Sequence, residues 1–285
     1  MTKPRATLLM MLPGLAWLAL LLVVPCLLIF GLAFFERGVY GGIDYGIVTL
    51  ANFRRAGDPL YATIFLDSGR IALTATVVAI LIAYPAAYAI NRASPRWQAP
   101  LLILVILPFW SNYLIRTYAW MVILNREGVI NSLLSWLGLV DQPLNILYNE
   151  FAVILGLVYN YSPLVILAVF ASLQRLDPSY AEASRDLGAG AWTTFRRVVL
   201  PLTLPGVAAG GVFVFVLSIG NFITPDLLGG GRLQMVGNLI YDQFLTARDW
   251  PFGATLSIVL IAVMMILLFG QAMASRRSPA GARHG

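Results

Sequence analysis

The chain lacks most of the side chains that enzymes use for chemistry. It has one cysteine, Cys26, and one histidine, His284. A zinc finger or a His-rich metal centre cannot be assembled from these. A Ser-His-Asp triad would depend on a histidine that is next to last in a polar tail. Cys26 lies inside an apolar run and reads as a small buried hydrophobe. With no second cysteine, no disulfide reports the redox compartment. Lysine is as scarce, since Lys3 is the only one. A phosphate-binding G-x-x-x-x-G-K-[ST] loop needs a lysine after its glycines, so the chain has no Walker-type nucleotide site. It is read as holding no cofactor. Any ATP-driven work would use ATP and Mg on a partner ATPase. Charge is low throughout, at 11% of residues against about 25% in soluble domains. No acids cluster within the apolar runs, which argues against a membrane enzyme. No basic stripe interleaved with aromatics suggests a nucleic-acid partner.

What the chain has is apolar length. Of 285 residues, 59% are hydrophobic, and the mean hydropathy is +0.81. Six uncharged runs stand out, over 6–35, 71–90, 99–115, 151–174, 198–225 and 251–275. Each approaches or exceeds the roughly 20 residues a membrane helix needs. They predict an all-α membrane protein with six transmembrane helices in a single domain over 1–285. The spans fall at about 8–34, 68–91, 100–124, 151–173, 203–227 and 252–274. The first run is longer than the roughly 7–15 residues of a signal-peptide core, so it reads as an uncleaved span. Pro13 and Pro25 predict that this helix is kinked or starts late.

Lysine and arginine choose the orientation. With both termini in the cytoplasm, the inner pieces hold eleven of the nineteen basic residues and only Asp177, Glu182 and Asp186 as acids. The chain is therefore expected to cross a membrane, with membrane lipid around it and both termini in the cytoplasm. The basic pI of 9.7 follows from this topology. The first outer loop, 36–67, carries turn signals at Gly41–Gly42 and Asp58–Pro59. Another, 125–150, holds an apolar stretch over 129–140 that reads as a short interfacial helix. The tail 276–285 reads as disordered.

The connector over 175–201 carries its own pattern. Asp177 before Pro178 is a helix start, an N-cap acceptor followed by proline at the first helical position. Gly188 supplies a stop. A second short helix is expected over about 192–199, ended by Pro201.

This connector resembles the EAA loop of the membrane permease subunits of binding-protein-dependent ABC importers. The likeness rests on Glu182, Ala183, Leu187, Gly188, Ala189, Phe195, Val198, Leu200, Pro201, Pro205 and Gly206, with Ser184 departing from an expected alanine. The resemblance implies a type I ABC importer permease fold with cytoplasmic coupling helices. Glu182, Ala183, Ser184, Arg185, Asp186, Gly188 and Ala189 would be the contact with the ATPase. It implies as partners a second homologous permease, two copies of an ABC ATPase and an external solute-binding protein. Further stretches resemble the spermidine/putrescine importer permeases, closest to the first of their two membrane subunits. These are 83–88, 107–112, 114–118, 156–159, 226–230 and 248–253. The implied solute is a polyamine, with another small amino compound such as a γ-aminobutyrate-like one as the alternative. An ion-coupled secondary transporter is the competing class, but it would need several embedded carboxylates.

A polyamine path needs carboxylates and aromatic faces. Asp226, after the helix-breaking Pro225, is the only acid near the middle or end of a predicted span. It reads as a cation contact, or else as a helix-end residue or a partner for Arg116. Trp110, Asn112, Tyr113, Tyr118 and Trp120 cluster near the third span, as an interfacial belt or as part of the path. Tyr159, Asn160, Tyr161 and Ser162 precede Pro163 at mid-span, and Asn221 is a similar polar residue in the fifth. Arg116 should pair with an acid or snorkel outward. Gly210 and Gly211 read as close helix packing.

Overall fold

The computed structural model describes residues 3–276, with side chains described over 11–273. Arg277, Arg283 and His284, with most of the tail read as disordered, lie outside the described residues. In chain order the first elements are α1 (Lys3–Leu32), strands β1 (Phe35–Arg37) and β2 (Ile43–Val48), α2 (Ala51–Ala56), α3 (Pro59–Arg92), α4 (Pro95–Ile106), α5 (Tyr113–Leu124) and α6 (Val129–Trp136). Then come α7 (Glu150–Gln174), α8 (Pro178–Asp186), α9 (Ala191–Thr194), α10 (Leu200–Ile219), α11 (Ile223–Gly229), α12 (Val236–Leu245) and α13 (Trp250–Arg276). Among the described residues five helical stretches are long and apolar enough to cross a membrane, or six if one bent pair counts as a span. The fold is thus helical as expected, with one hairpin added.

Two compact units are present, Met1–Thr63 with Leu239–Val263, and Ile64–Asn238 with Met264–Gly285. In the first, α1 starts ahead of Pro13 rather than after it. Over Met11–Leu32 its mean hydropathy is 2.7 and none of the stretch is buried within the chain. Cys26 is consequently exposed, where a buried cysteine was expected, because no other span covers this helix. A helix apolar all round and uncovered by its own chain is built for lipid or a partner. The loop after it folds into the antiparallel β1–β2 hairpin. Gly41 and Gly42 turn it at φ of 87° and 82°, values that favour glycine. The Gly42 N–H donates to the Arg248 carbonyl at 2.7 Å. Arg55 of α2 pairs with Asp249 at 2.8 Å and lies 3.8 Å from the Phe252 ring centre. Asp249, only 4% exposed in its side chain, also accepts from the Phe252 N–H and caps α13.

The second unit is organised around α3, α7 and α10. On α3, Ala72, Ala75, Ala79, Ala83 and Ala87 form a buried stripe at helical spacing. Gly206 and Gly210 let α10 approach α7. A Cβ at Gly206 would stand 2.4 Å from Ser172 Cβ, and one at Gly210 3.0 Å from the Val165 backbone. Gly211 faces Ile80 and Thr76 of α3 instead. The pair therefore serves close packing on two sides, the small-residue solution of membrane helices. Arg70 and Glu150 join α3 to α7 through two hydrogen bonds of 2.9 and 2.7 Å. The interfacial helix expected over 129–140 is α6. Its buried Asn131 accepts from the Leu144 N–H and donates to the Asn125 and Leu144 carbonyls, which pins the loop.

Three expectations need correction. The third span, read as one helix over 100–124, is α4 and a 3₁₀ turn (Leu107–Trp110) bent by 91° from α5 and α6. Pro108 starts the 3₁₀ turn, and the Asn112 side chain accepts from the Leu114 N–H and starts α5. The fifth span, read as 203–227, breaks over 220–222 rather than at Pro225. Pro225 sits buried in the first turn of α11, where its missing N–H costs nothing. Finally, Pro201 does not end the second helix of the connector. Helix runs from Ala191 to Ile219, with a π-helical turn over Phe195–Val199 just ahead of Pro201. A widened turn is a known way of accommodating a residue that cannot join the hydrogen-bond ladder.

Candidate functional site

The connector over 175–201 is built as the short helix α8, a glycine turn and the start of the long helix Ala191–Ile219. Asp177 caps α8 by accepting from the Ser179 N–H at 2.9 Å. That backbone hydrogen bond, with a contribution from the Ser179 side chain, holds its carboxyl below the ordinary aspartate range. At the other end Gly188 has φ 80°. Its N–H donates to the Arg185 carbonyl at 2.8 Å, and the Ala189 N–H donates to the Ser184 carbonyl at 3.1 Å. This pair of bonds is a Schellman stop. The Ser184 hydroxyl lies 3.0 Å from that of Thr194 and ties α8 to α9. The departure from alanine at this position has therefore gained a structural partner.

Glu182, Ala183, Arg185, Asp186 and Gly188 are all exposed. Leu187 is also exposed, at 88%. Glu182 and Arg185 form no ion pair with one another or with any other described residue. Behind this face Trp192 stacks on Phe195 at 5.5 Å. Phe195 meets the edges of Tyr84 and Tyr88 of α3 at 5.8 and 5.4 Å. Tyr84 in turn hydrogen-bonds Thr203 of α10 at 2.9 Å. The α8–α9 end of the connector is thus joined to α10 along one helix and to α3 through aromatic contacts.

The second candidate lies where the helix expected as the fifth span breaks, just past Ile219. Asn221 sits in the break and donates to the hydroxyls of Tyr113 and Tyr161, at 2.6 Å each. Its carbonyl oxygen accepts from the Thr224 N–H at 2.8 Å, and Tyr113 also hydrogen-bonds the Thr224 hydroxyl. Four side chains from α5, α7, α11 and the break form one polar knot. Sequence reasoning named Tyr113, Asn221 and Tyr161 but missed Thr224. Its signal was an Asn three residues ahead of a Thr directly after Gly220, a helix-start pattern.

The other named residues are placed differently. Tyr159 packs edge-on against Trp120 at 5.2 Å, beside a cavity of about 360 Å³ that Arg116 and Ser162 also line. Asn160 is 1% exposed, and neither its amide nitrogen nor its oxygen has a partner among the described residues. Asn112 is exposed and serves as the α5 cap. Trp110 is exposed and makes no ring contact among the described residues. Asp226 is exposed on α11 and is in none of the ion pairs described. Arg116 pairs with no acid among the described residues. Its guanidinium lies 5.2 Å from the Phe109 ring centre and 5.8 Å from that of Tyr113, and its Nε is buried without an acceptor. The knot offers neutral hydroxyl and amide groups and aromatic faces, and holds no carboxylate. Among the described residues no group of three or more His, Cys, Asp or Glu side chains is placed to hold a metal.

Comparison with known proteins agrees with this architecture. Residues 2–278 match the family of binding-protein-dependent transport system inner membrane components. The chain is 40% identical over 260 residues to the spermidine/putrescine transport system permease protein PotB of Escherichia coli, covering 91% of this chain and 94% of that one. The PotB of Haemophilus influenzae is 40% identical over 255 residues, covering 89% and 88%. The inner membrane ABC transporter permease protein YdcU of Escherichia coli is 35% identical over 90% of this chain and 88% of its own. Among solved structures, a bacterial ABC transporter involved in import of the acidic polysaccharide alginate superposes with a TM-score of 0.75. It is 19% identical and covers 97% of both chains, a likeness of fold. The chain belongs to the binding-protein-dependent transport system inner membrane components, and is the multi-pass permease subunit of an ABC importer.

Proposed function

We propose that this permease forms half of the translocation path of an importer for polyamines such as spermidine and putrescine. One observation carries the solute: identity of 40% over 91% of the chain to a permease that bears those solutes in its name. The chain supplies no ATP chemistry. Two copies of an ABC ATPase, with ATP and Mg, drive it. A second homologous permease completes the path, and an external binding protein delivers the solute. Both termini face the cytoplasm, so the 175–201 connector meets the ATPase, with Glu182, Arg185 and Asp186 as the exposed polar contacts and Leu187 as the apolar one. Tyr113, Tyr161, Asn221 and Thr224, with Tyr159, Asn160, Trp110 and Asn112, would line the path, and Asp226 would contact the ammonium groups.

The polar knot favours a second reading. It is neutral and lies beside Arg116, which suits a zwitterionic amino compound better than a polycation. The test is ATP-dependent uptake of labelled spermidine, putrescine and γ-aminobutyrate into vesicles holding the complete importer. Accumulation of a polyamine alone is expected. Accumulation of γ-aminobutyrate alone would replace the solute while keeping the importer.

A further inference from the structure

At the end of α3 that meets the connector, Tyr84, Pro85, Tyr88, Arg92, Trp192 and Phe195 enclose a recess of about 500 Å³. Its interior is apolar and aromatic. Phe195 forms the floor, stacked under Trp192 and edged by both tyrosines. Trp192 stands at the mouth, 70% exposed. The rim is cationic. The Arg92 guanidinium lines the recess and hangs 5.5 Å from the Tyr88 ring centre. The ion pairs of the described residues involve Arg55 and Arg70, so Arg92 has no carboxylate partner among them. Arg92 also ends the apolar length of α3, which sets the mouth at the membrane–water boundary.

An apolar slot with a guanidinium rim at that depth suits a molecule with an apolar body and an anionic head. The geometry points to a binding site for one anionic glycerophospholipid, its phosphate on Arg92 and its glycerol and upper acyl chain against Tyr84, Pro85 and Phe195. A cationic occupant would face the uncompensated Arg92 guanidinium. A lipid with the same body and a zwitterionic head loses the charge term, which is worth about fivefold per arginine near a membrane surface. Because Phe195 and Trp192 belong to the connector, the bound lipid fastens the connector to α3.

The test uses the assembled importer in phosphatidylcholine nanodiscs carrying equal minor fractions of acyl-brominated phosphatidylglycerol or acyl-brominated phosphatidylcholine. Bromine quenches tryptophan on contact, and the Trp192 share is the difference between the native chain and Trp192→Phe. The expected result is about fivefold stronger quenching of that share by the anionic lipid, with the preference abolished in Arg92→Gln and retained in Arg54→Gln. Equal quenching by both lipids would mean that Trp192 merely touches bilayer, and no quenching by either would mean that a protein partner covers the recess. Either result overturns the proposal. If Trp192→Phe does not assemble, native mass spectrometry of the purified complex substitutes. One phosphatidylglycerol retained by the native chain and lost in Arg92→Gln is expected, and equal retention overturns the site. No solute enters these measurements, so an error in the transported compound leaves them unaffected.

Discussion

Asn221 holds three other groups in place, and removing its side chain takes a partner from each. Asn221→Ala strands the Tyr161 hydroxyl and uncaps the Thr224 N–H. A buried polar group left unmet costs about 1–3 kcal/mol, so the variant should melt earlier in detergent and transport poorly. Unchanged melting would mean water replaces the amide. Asp177 is a milder case with a pH signature. Its capping hydrogen bond lowers its carboxyl pKa, so its stabilisation is complete above the ordinary aspartate value and is lost as pH falls through the lowered one. Hydrogen exchange over the 176–187 peptide should accelerate in that acid window. Asp177→Asn keeps the acceptor and should flatten the response. Glu182→Lys should leave the protein folded and ATP hydrolysis running while uptake stops, and normal uptake would remove Glu182 from the ATPase contact.

At the scale of elements, Phe195 joins the connector to α3 through Tyr84 and Tyr88. Phe195→Ala should assemble with the ATPase yet give hydrolysis that no longer tracks transport. Retained coupling would mean that α10 alone carries the load. Much of this architecture was legible beforehand, because hydropathy reports length and Asp177-Pro178 and Gly188 report ends. The 91° bend in the third span was not. Hydropathy is blind to chain direction, and Pro108 with Asn112 redirects a stretch that on average is apolar enough to count as one span. Pro201 misled for the opposite reason: proline forbids a regular ladder, and a π-helical turn makes the ladder irregular just where it is needed. The polar knot was half legible. Its members announce themselves as polar residues in apolar runs, but which of them meet depends on where α10 breaks.

For the whole molecule, the expectation is that both termini share the cytoplasm. Green fluorescent protein at the C-terminus should fluoresce, and alkaline phosphatase fused there should be inactive; the reverse pair would invert the orientation and place the connector away from the ATPase. α1 belongs to this scale too, since nothing in its own chain buries Met11–Leu32. The continuous helix from Ala191 to Ile219 makes a lever whose dimensions follow from its residue count. Its 29 residues span about 43 Å at about 1.5 Å each. A tilt of about 5° applied at the connector end displaces the far end by about 4 Å over such an arm. That far end carries Asn221 and the start of α11, so if the connector meets the ATPase as proposed, a small tilt there would become a step about one methylene-chain width at the polar knot.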